Sequence, residues 1–162
     1  MSLNLFKRRG AKNYFMPVSI PEKMIKEIAE MLDSGMLCFY RIPTGEMEYY
    51  PDESRGHAGF DEEPWQEMMD KVENDYLEYI PFAGMESRES FRVMETFVEN
   101  LSDAYIRQRF TDAISFKKPF QNFNQMLLNY PKLLEEWFTY KSEKYMEWVR
   151  DELKKFNGRE ST

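Results

Sequence analysis

The chain has 162 residues, 42% hydrophobic and 16% aromatic, and a formal net charge of −7. That apolar content supports a packed core and excludes global disorder, while the acidic balance argues against a protein that coats nucleic acid wholesale. The single cysteine, Cys38, excludes an intrachain disulfide and a cysteine-based metal site, and no apolar run approaches the ~20 residues that span a bilayer.

Residues 1–15 read as an irregular arm carrying a short basic run, Lys7, Arg8, Arg9 and Lys12. No apolar stretch follows those charges, so they do not form a secretory signal, and the cytoplasm is the expected compartment. Residues 19–34 are the first predicted helix. Ser19 is its expected N-cap, with Glu22 closing a capping box and Pro21 near the start. Ile25, Ile28, Ala29 and Leu32 share one face, and Gly35 supplies a left-handed stop.

Residues 36–52 are a predicted β-hairpin around a two-residue Thr44-Gly45 turn. That register sets Tyr40 opposite Tyr49 and Ile42 opposite Met47 on one face. It sets Arg41 opposite Glu48 and Phe39 opposite Tyr50 on the other. A polar loop, 53–60, leads to a helix over 61–74 with acidic residues and Pro64 in its first turn. Trp65, Met68, Met69 and Val72 make its apolar stripe. Residues 76–82 suit a third strand, which the hairpin needs because a two-stranded ribbon alone is marginal.

A turn at 83–86 precedes a helix over 87–100, with Ser87 as expected N-cap and Phe91, Met94, Phe97, Val98 and Leu101 inward. Ser102 is expected to cap a fourth helix carrying Tyr105, Ile106, Phe110 and Ile114. The stretch 117–156 reads as two helices joined at Asn129-Tyr130-Pro131. The first places Phe120, Phe123 and Leu127 at helical spacing. The second places Leu134, Trp137, Phe138, Tyr145, Trp148, Val149 and Phe156 on one face and, at 1.5 Å per residue, is ~39 Å long. Residues 158–162 form an expected frayed tail. The fold class is α+β: a small three-stranded antiparallel sheet with a packed array of five to six helices, in a single domain over 16–157.

From about residue 20 to 156 the pattern resembles a family of small bacterial proteins, uncharacterised protein family 0158. The residues that carry the resemblance are Thr44-Gly45-Glu46, Phe120 with Phe123, Tyr130-Pro131 with Leu133, Trp137-Phe138, and the charged last helix through Leu153. The family pattern usually has a glycine-containing basic loop before its aromatic pair and arginines within it. Here Phe116-Lys117-Lys118-Pro119 and Gln121-Asn122 stand at those places. The resemblance implies a shared fold unit and brings no activity with it.

Three classes of function fit the residues. The first is a non-enzymatic protein-interaction module that meets a protein partner or a second copy through the aromatic last helices. Its candidate contact residues are Lys141, Tyr145, Trp148, Val149 and Phe156, because a small domain leaves the far end of so long a helix to cover. The competing expectation is that the hairpin or the first helix folds over that end and makes it core. The second class is nucleic-acid or anion binding through Arg107, Arg109, Lys117 and Lys118, which flank Phe110 and Phe116. The third is a hydrolase with an acidic site around His57, where Asp52, Glu53, Asp61, Glu62 and Glu63 lie nearby in sequence. Their spacing fits neither a zinc helix motif nor a calcium loop. Cys38 shares the strand face of Tyr40 and Ile42, so a buried thiol is expected there. No glycine-rich phosphate loop or nucleophile elbow occurs, and no cofactor or metal is expected.

Overall fold

The computed structural model describes residues 17–55 and 61–160. The basic run of the arm and His57 lie outside them. Six α-helices and three strands follow in the order α1 (Glu22–Asp33), β1 (Met36–Arg41), β2 (Met47–Pro51), α2 (Gln66–Asn74), β3 (Tyr79–Phe82), α3 (Ser87–Glu99), α4 (Ala104–Ile114), α5 (Pro119–Leu127) and α6 (Pro131–Glu160). This is the α+β class expected. The contacts divide the chain into two compact units, Met1–Gly84 with Tyr145–Thr162, and Met85–Lys144. α6 contributes to both: its residues up to Lys144 belong to the second unit and those from Tyr145 onward to the first. Among the described residues no helix is long and apolar enough to cross a membrane.

The first unit is built on an antiparallel sheet of order β2-β1-β3. β1 is central, so its side chains Leu37, Cys38, Phe39 and Tyr40 are all buried. The hairpin register differs from expectation by two residues: Tyr40 faces Met47, Cys38 faces Tyr49 and Leu37 faces Tyr50. Pro43 is the cause. A two-residue turn at Thr44-Gly45 would need the Pro43 nitrogen to donate across to Glu46, and proline has no N–H. Instead Arg41 N donates to Glu46 O, Gly45 N donates to Arg41 O, and Gly45 takes φ 72 to close a four-residue loop. A shift of two preserves the faces. Tyr40 and Tyr49 therefore still share a side, and Phe39 stacks diagonally on Tyr50 at 5.0 Å. The expected Arg41–Glu48 pair is replaced. Arg41 grips Glu78 through Nε (3.0 Å) and Nη2 (2.7 Å), and Lys71 of α2 pairs with Glu48.

Helix ends are set differently from expectation. α1 begins after Pro21 with no side-chain cap, so the Ser19–Glu22 capping box does not form, while Gly35 has the expected positive φ of 91°. Ser87 lies inside α3, whose N-cap is Glu86, and Asp103 rather than Ser102 caps α4. α2 is entered through a 3-10 turn, Glu63–Trp65, because Pro64 suits a first turn. α6 continues to Glu160, past the point where fraying was expected.

The second unit is wholly helical: α3, α4, α5 and the first part of α6. Its core comprises Met94, Phe97, Val98, Leu101, Phe110, Ile114, Phe123, Leu127 and Trp137. Trp137 is part of its aromatic cluster, with ring centroids 4.9 Å from Phe123 and 5.1 Å from Phe97. Such T-shaped aromatic contacts add to the stabilisation from burial alone.

Candidate functional site

A cleft of about 690 Å³ opens in the helical unit. That volume falls within the ~300–1,000 Å³ typical of ligand sites. Two chain reversals create it, between α3 and α4 and between α5 and α6. α3 stops where Asn100 Nδ2 donates back to Thr96 O at 2.8 Å. Asp103 then starts α4 by accepting from the Tyr105 and Ile106 amides at 2.9 and 3.0 Å. Arg107 Nη1 donates to Leu101 O at 2.6 Å and ties the two helix ends together. On the far side, Tyr130 closes the α5–α6 turn. Its ring packs 5.7 Å from Phe110, its hydroxyl accepts from Arg109 at 2.9 Å, and Pro131 begins α6.

The floor of the cleft is apolar, made by Phe97, Leu101, Ile106, Leu133 and Tyr140. The rim is polar, with Asn100, Ser102, Asp103 and Asn129, and with exposed Lys132 and Glu136 one turn apart on α6. Chemically, this arrangement can bury a bulky apolar group and orient what carries it by hydrogen bonds and charge. No sequence pattern announced the cleft, because its walls come from three separated stretches, 97–106, 129–133 and 136–140. The nearest signal was the Tyr130-Pro131 turn.

The expected contact face at the end of α6 is not a surface. Tyr145, Val149 and Phe156 are buried in the sheet-containing unit, Val149 completely. Trp148 is half-buried, and its Nε1 donates to Ala83 O at 2.9 Å. Arg150 pairs with Glu22 of α1, and Asn157 exchanges hydrogen bonds with the Val18 backbone at 2.9 and 3.0 Å. The competing expectation, that the early part of the chain covers this end, describes the packing. Lys141 is half-buried and belongs to the helical unit. Phe138, expected on the packed face, is 59% exposed. It sits one residue, about 100° of helix, away from buried Trp137.

The four basic candidates separate into two pairs. Arg107 and Arg109 are tied to neutral partners, the Leu101 carbonyl and the Tyr130 hydroxyl, and Arg109 also lies 5.9 Å from the Tyr105 ring centroid. Lys117 and Lys118 are exposed in the α4–α5 loop. Phe110 is fully buried and has no face to offer a ligand, whereas Phe116 is 70% exposed.

His57 lies outside the described residues, so the acidic site proposed around it has no geometry here. Asp52 is buried and is a structural acceptor: its Oδ1 receives Ser54 N at 3.0 Å and Ser54 Oγ at 2.6 Å. Among the described residues, no group of three or more His, Cys, Asp or Glu is placed to hold a metal ion. Cys38 is fully buried, and burial pushes its thiol up to about 12, far from the thiolate that a nucleophile requires.

A family model described as an uncharacterised protein family, UPF0158, matches residues 24–161. A UPF0158 protein of Pseudomonas aeruginosa is 27% identical over 90 residues, a stretch that covers 56% of this chain and 59% of that relative. No solved structure matches.

Proposed function

Since the chain belongs to the uncharacterised protein family UPF0158, we propose from its geometry that it is a protein-interaction module that seats an apolar-anchored segment of a partner protein in the cleft of its helical unit. The observation that carries this reading is the cleft itself: a floor of Phe97, Leu101, Ile106, Leu133 and Tyr140 beneath a polar rim. Interfaces work this way, with a buried apolar anchor at the centre and polar contacts that fix register around it. A second observation supports it. Among the described residues, the exposed large hydrophobics, Tyr105, Phe116, Phe120, Leu128 and Phe138, all belong to the same unit. The setting proposed is a bacterial one, as for the Pseudomonas relative.

The test is a defined ligand. Peptides are selected by display on the folded protein, and the best is made synthetically and titrated by fluorescence anisotropy. Glu136→Lys and Lys132→Glu alter only exposed rim charges, so thermal stability should stay within a degree or two while affinity falls by roughly fivefold or more. Equal affinity for wild type and both variants, or a selection that yields no peptide tighter than ~100 µM, would contradict the proposal.

A further inference from the structure

We propose that the loop joining α4 to α5 is a contact site for single-stranded nucleic acid, separate from the cleft. Its charge is the first reason. Between residues 104 and 130 the chain carries Arg107, Arg109, Lys117 and Lys118 against a single acid, Asp112, although the whole chain is strongly acidic. The hydrogen-bond partners of the two arginines are uncharged, so they leave the local field positive, while Lys117 and Lys118 are the charges the loop itself presents to an anion. Asp112 accepts from Gln108 Nε2 at 2.8 Å on its own helix. Lys117 and Lys118 have no ion-pair partner among the described residues.

The second reason is the rings beside those charges. Phe116 is 70% exposed and Phe120 38% exposed, on either side of the lysine pair. Phe120 is steadied by an edge-on contact with Phe91 at 6.3 Å, while Phe116 stands in water. Aromatic faces next to ammonium groups are what a flexible polyanion with stackable bases requires. An anionic membrane would need a broader apolar face than two rings supply.

The third reason is that the loop is held in place. Asn122 Nδ2 donates to Ala113 O at 2.9 Å and to Lys117 O at 3.0 Å, and Ser115 Oγ donates to Thr111 O at 2.6 Å. Lys118 itself sits at φ 58, the one non-glycine residue with positive φ among the described residues. Glycine fits that conformation better than lysine. A lysine there offers a charge at a conformational cost, which fits a binding role better than a purely structural one.

The test uses a fluorescein-labelled oligouridylate of about 20 nucleotides, read by anisotropy from low to moderate salt. Wild type should bind at low salt and weaken steeply as salt rises. Lys117→Ala combined with Lys118→Gly should flatten the slope of log affinity against log salt by about 1.4, which is 0.7 for each of two phosphate contacts on a single strand. Phe116→Ala should weaken binding about tenfold at every salt concentration. Lys118→Gly alone should keep or raise the melting temperature while weakening binding, which separates loss of a contact from loss of the fold. Absence of binding at low salt, or binding indifferent to these substitutions, would overturn the proposal. So would binding of phosphatidylserine vesicles, but not of the oligonucleotide, with the same dependence on Phe116 and the lysines.

Discussion

The two units of the chain spend their aromatic residues differently. In the sheet-containing unit, Phe39, Tyr40, Tyr50, Tyr79, Phe82, Tyr145 and Phe156 are buried. In the helical unit, Phe97, Phe110, Phe123 and Trp137 make a core, yet Tyr105, Phe116, Phe120 and Phe138 stand exposed. Charge divides in the same way. Residues 85–144 contain nine basic and nine acidic side chains, so the net −7 of the chain belongs to the first unit. The groups with displaced protonation that bear on packing, Cys38, Arg41, Tyr50, Lys71 and Tyr79, also lie there. Among its described residues, the first unit therefore buries its large apolar side chains, and it carries the acidic balance of the chain. The other is neutral overall and leaves apolar surface in water, the usual mark of a contact region.

The contrast can be broken most severely at the end of α6. Trp148→Glu with Phe156→Glu would drive two carboxylates into the packing of the first unit, where Phe156 is 9% exposed and Trp148 is bonded to Ala83. An unpaired charge in such a place costs several kcal/mol, comparable to the whole stability of a small domain. The expected outcome is loss of that unit's fold by circular dichroism and thermal denaturation. A variant that stayed folded and changed only its oligomeric state would show this end of α6 to be an interface after all.

A smaller effect separates two neighbours. Trp137→Ala should cost ~3–5 kcal/mol in denaturant titration, because it removes a buried ring from the aromatic cluster of the helical core. Phe138→Ala should change stability by less than ~0.5 kcal/mol, as expected for a side chain that is 59% exposed. Similar losses at both positions would remove the distinction between packed and displayed aromatics.

These neighbours also show what the sequence could convey. Helical spacing placed Leu134, Trp137, Phe138, Tyr145, Trp148, Val149 and Phe156 on one broad stripe, and all of it but Phe138 is buried or half-buried. Spacing could not reveal that α6 serves two cores, because a periodic stripe reads alike whichever body covers it. Gly35 and Gly45 were legible as left-handed positions. The hairpin register was not, because the pattern of side-chain pairs outweighed the missing N–H of Pro43. The helix caps were missed by one to a few residues, at Ser19, Ser87 and Ser102, since several adjacent polar residues could each have served. The cleft was invisible because no local pattern encodes the meeting of residues near 100 with residues near 133. Of the basic cluster, the sequence supplied the charges, and only the packing of Tyr130 and Leu101 showed which are engaged.

The last effect appears only at alkaline pH, as a slope. Burial raises the Cys38 thiol from 9.0 to about 12. The folded state thus holds that proton where the unfolded chain releases it. The associated stability is complete below pH 9 and falls as pH rises from 9 towards 12. Tyr50 and Tyr79, also raised by burial, add to the loss at the upper end of that range. Cys38→Ala should lower stability at neutral pH by leaving a small cavity, yet show a shallower alkaline decline in denaturant titrations from pH 8 to 11. An identical decline in both proteins would mean that the thiol is not held neutral in the first unit.

The central claim is that the helical unit is the region that meets a partner. It is tested most directly by two-dimensional NMR of the whole protein as a display-selected peptide is added. The account predicts that the amide shifts which move are those of Leu101, Asp103, Ile106, Leu133 and Tyr140, while the amides of β1, β2 and β3 stay still. Shifts concentrated on the sheet, with the cleft residues unmoved, would contradict it.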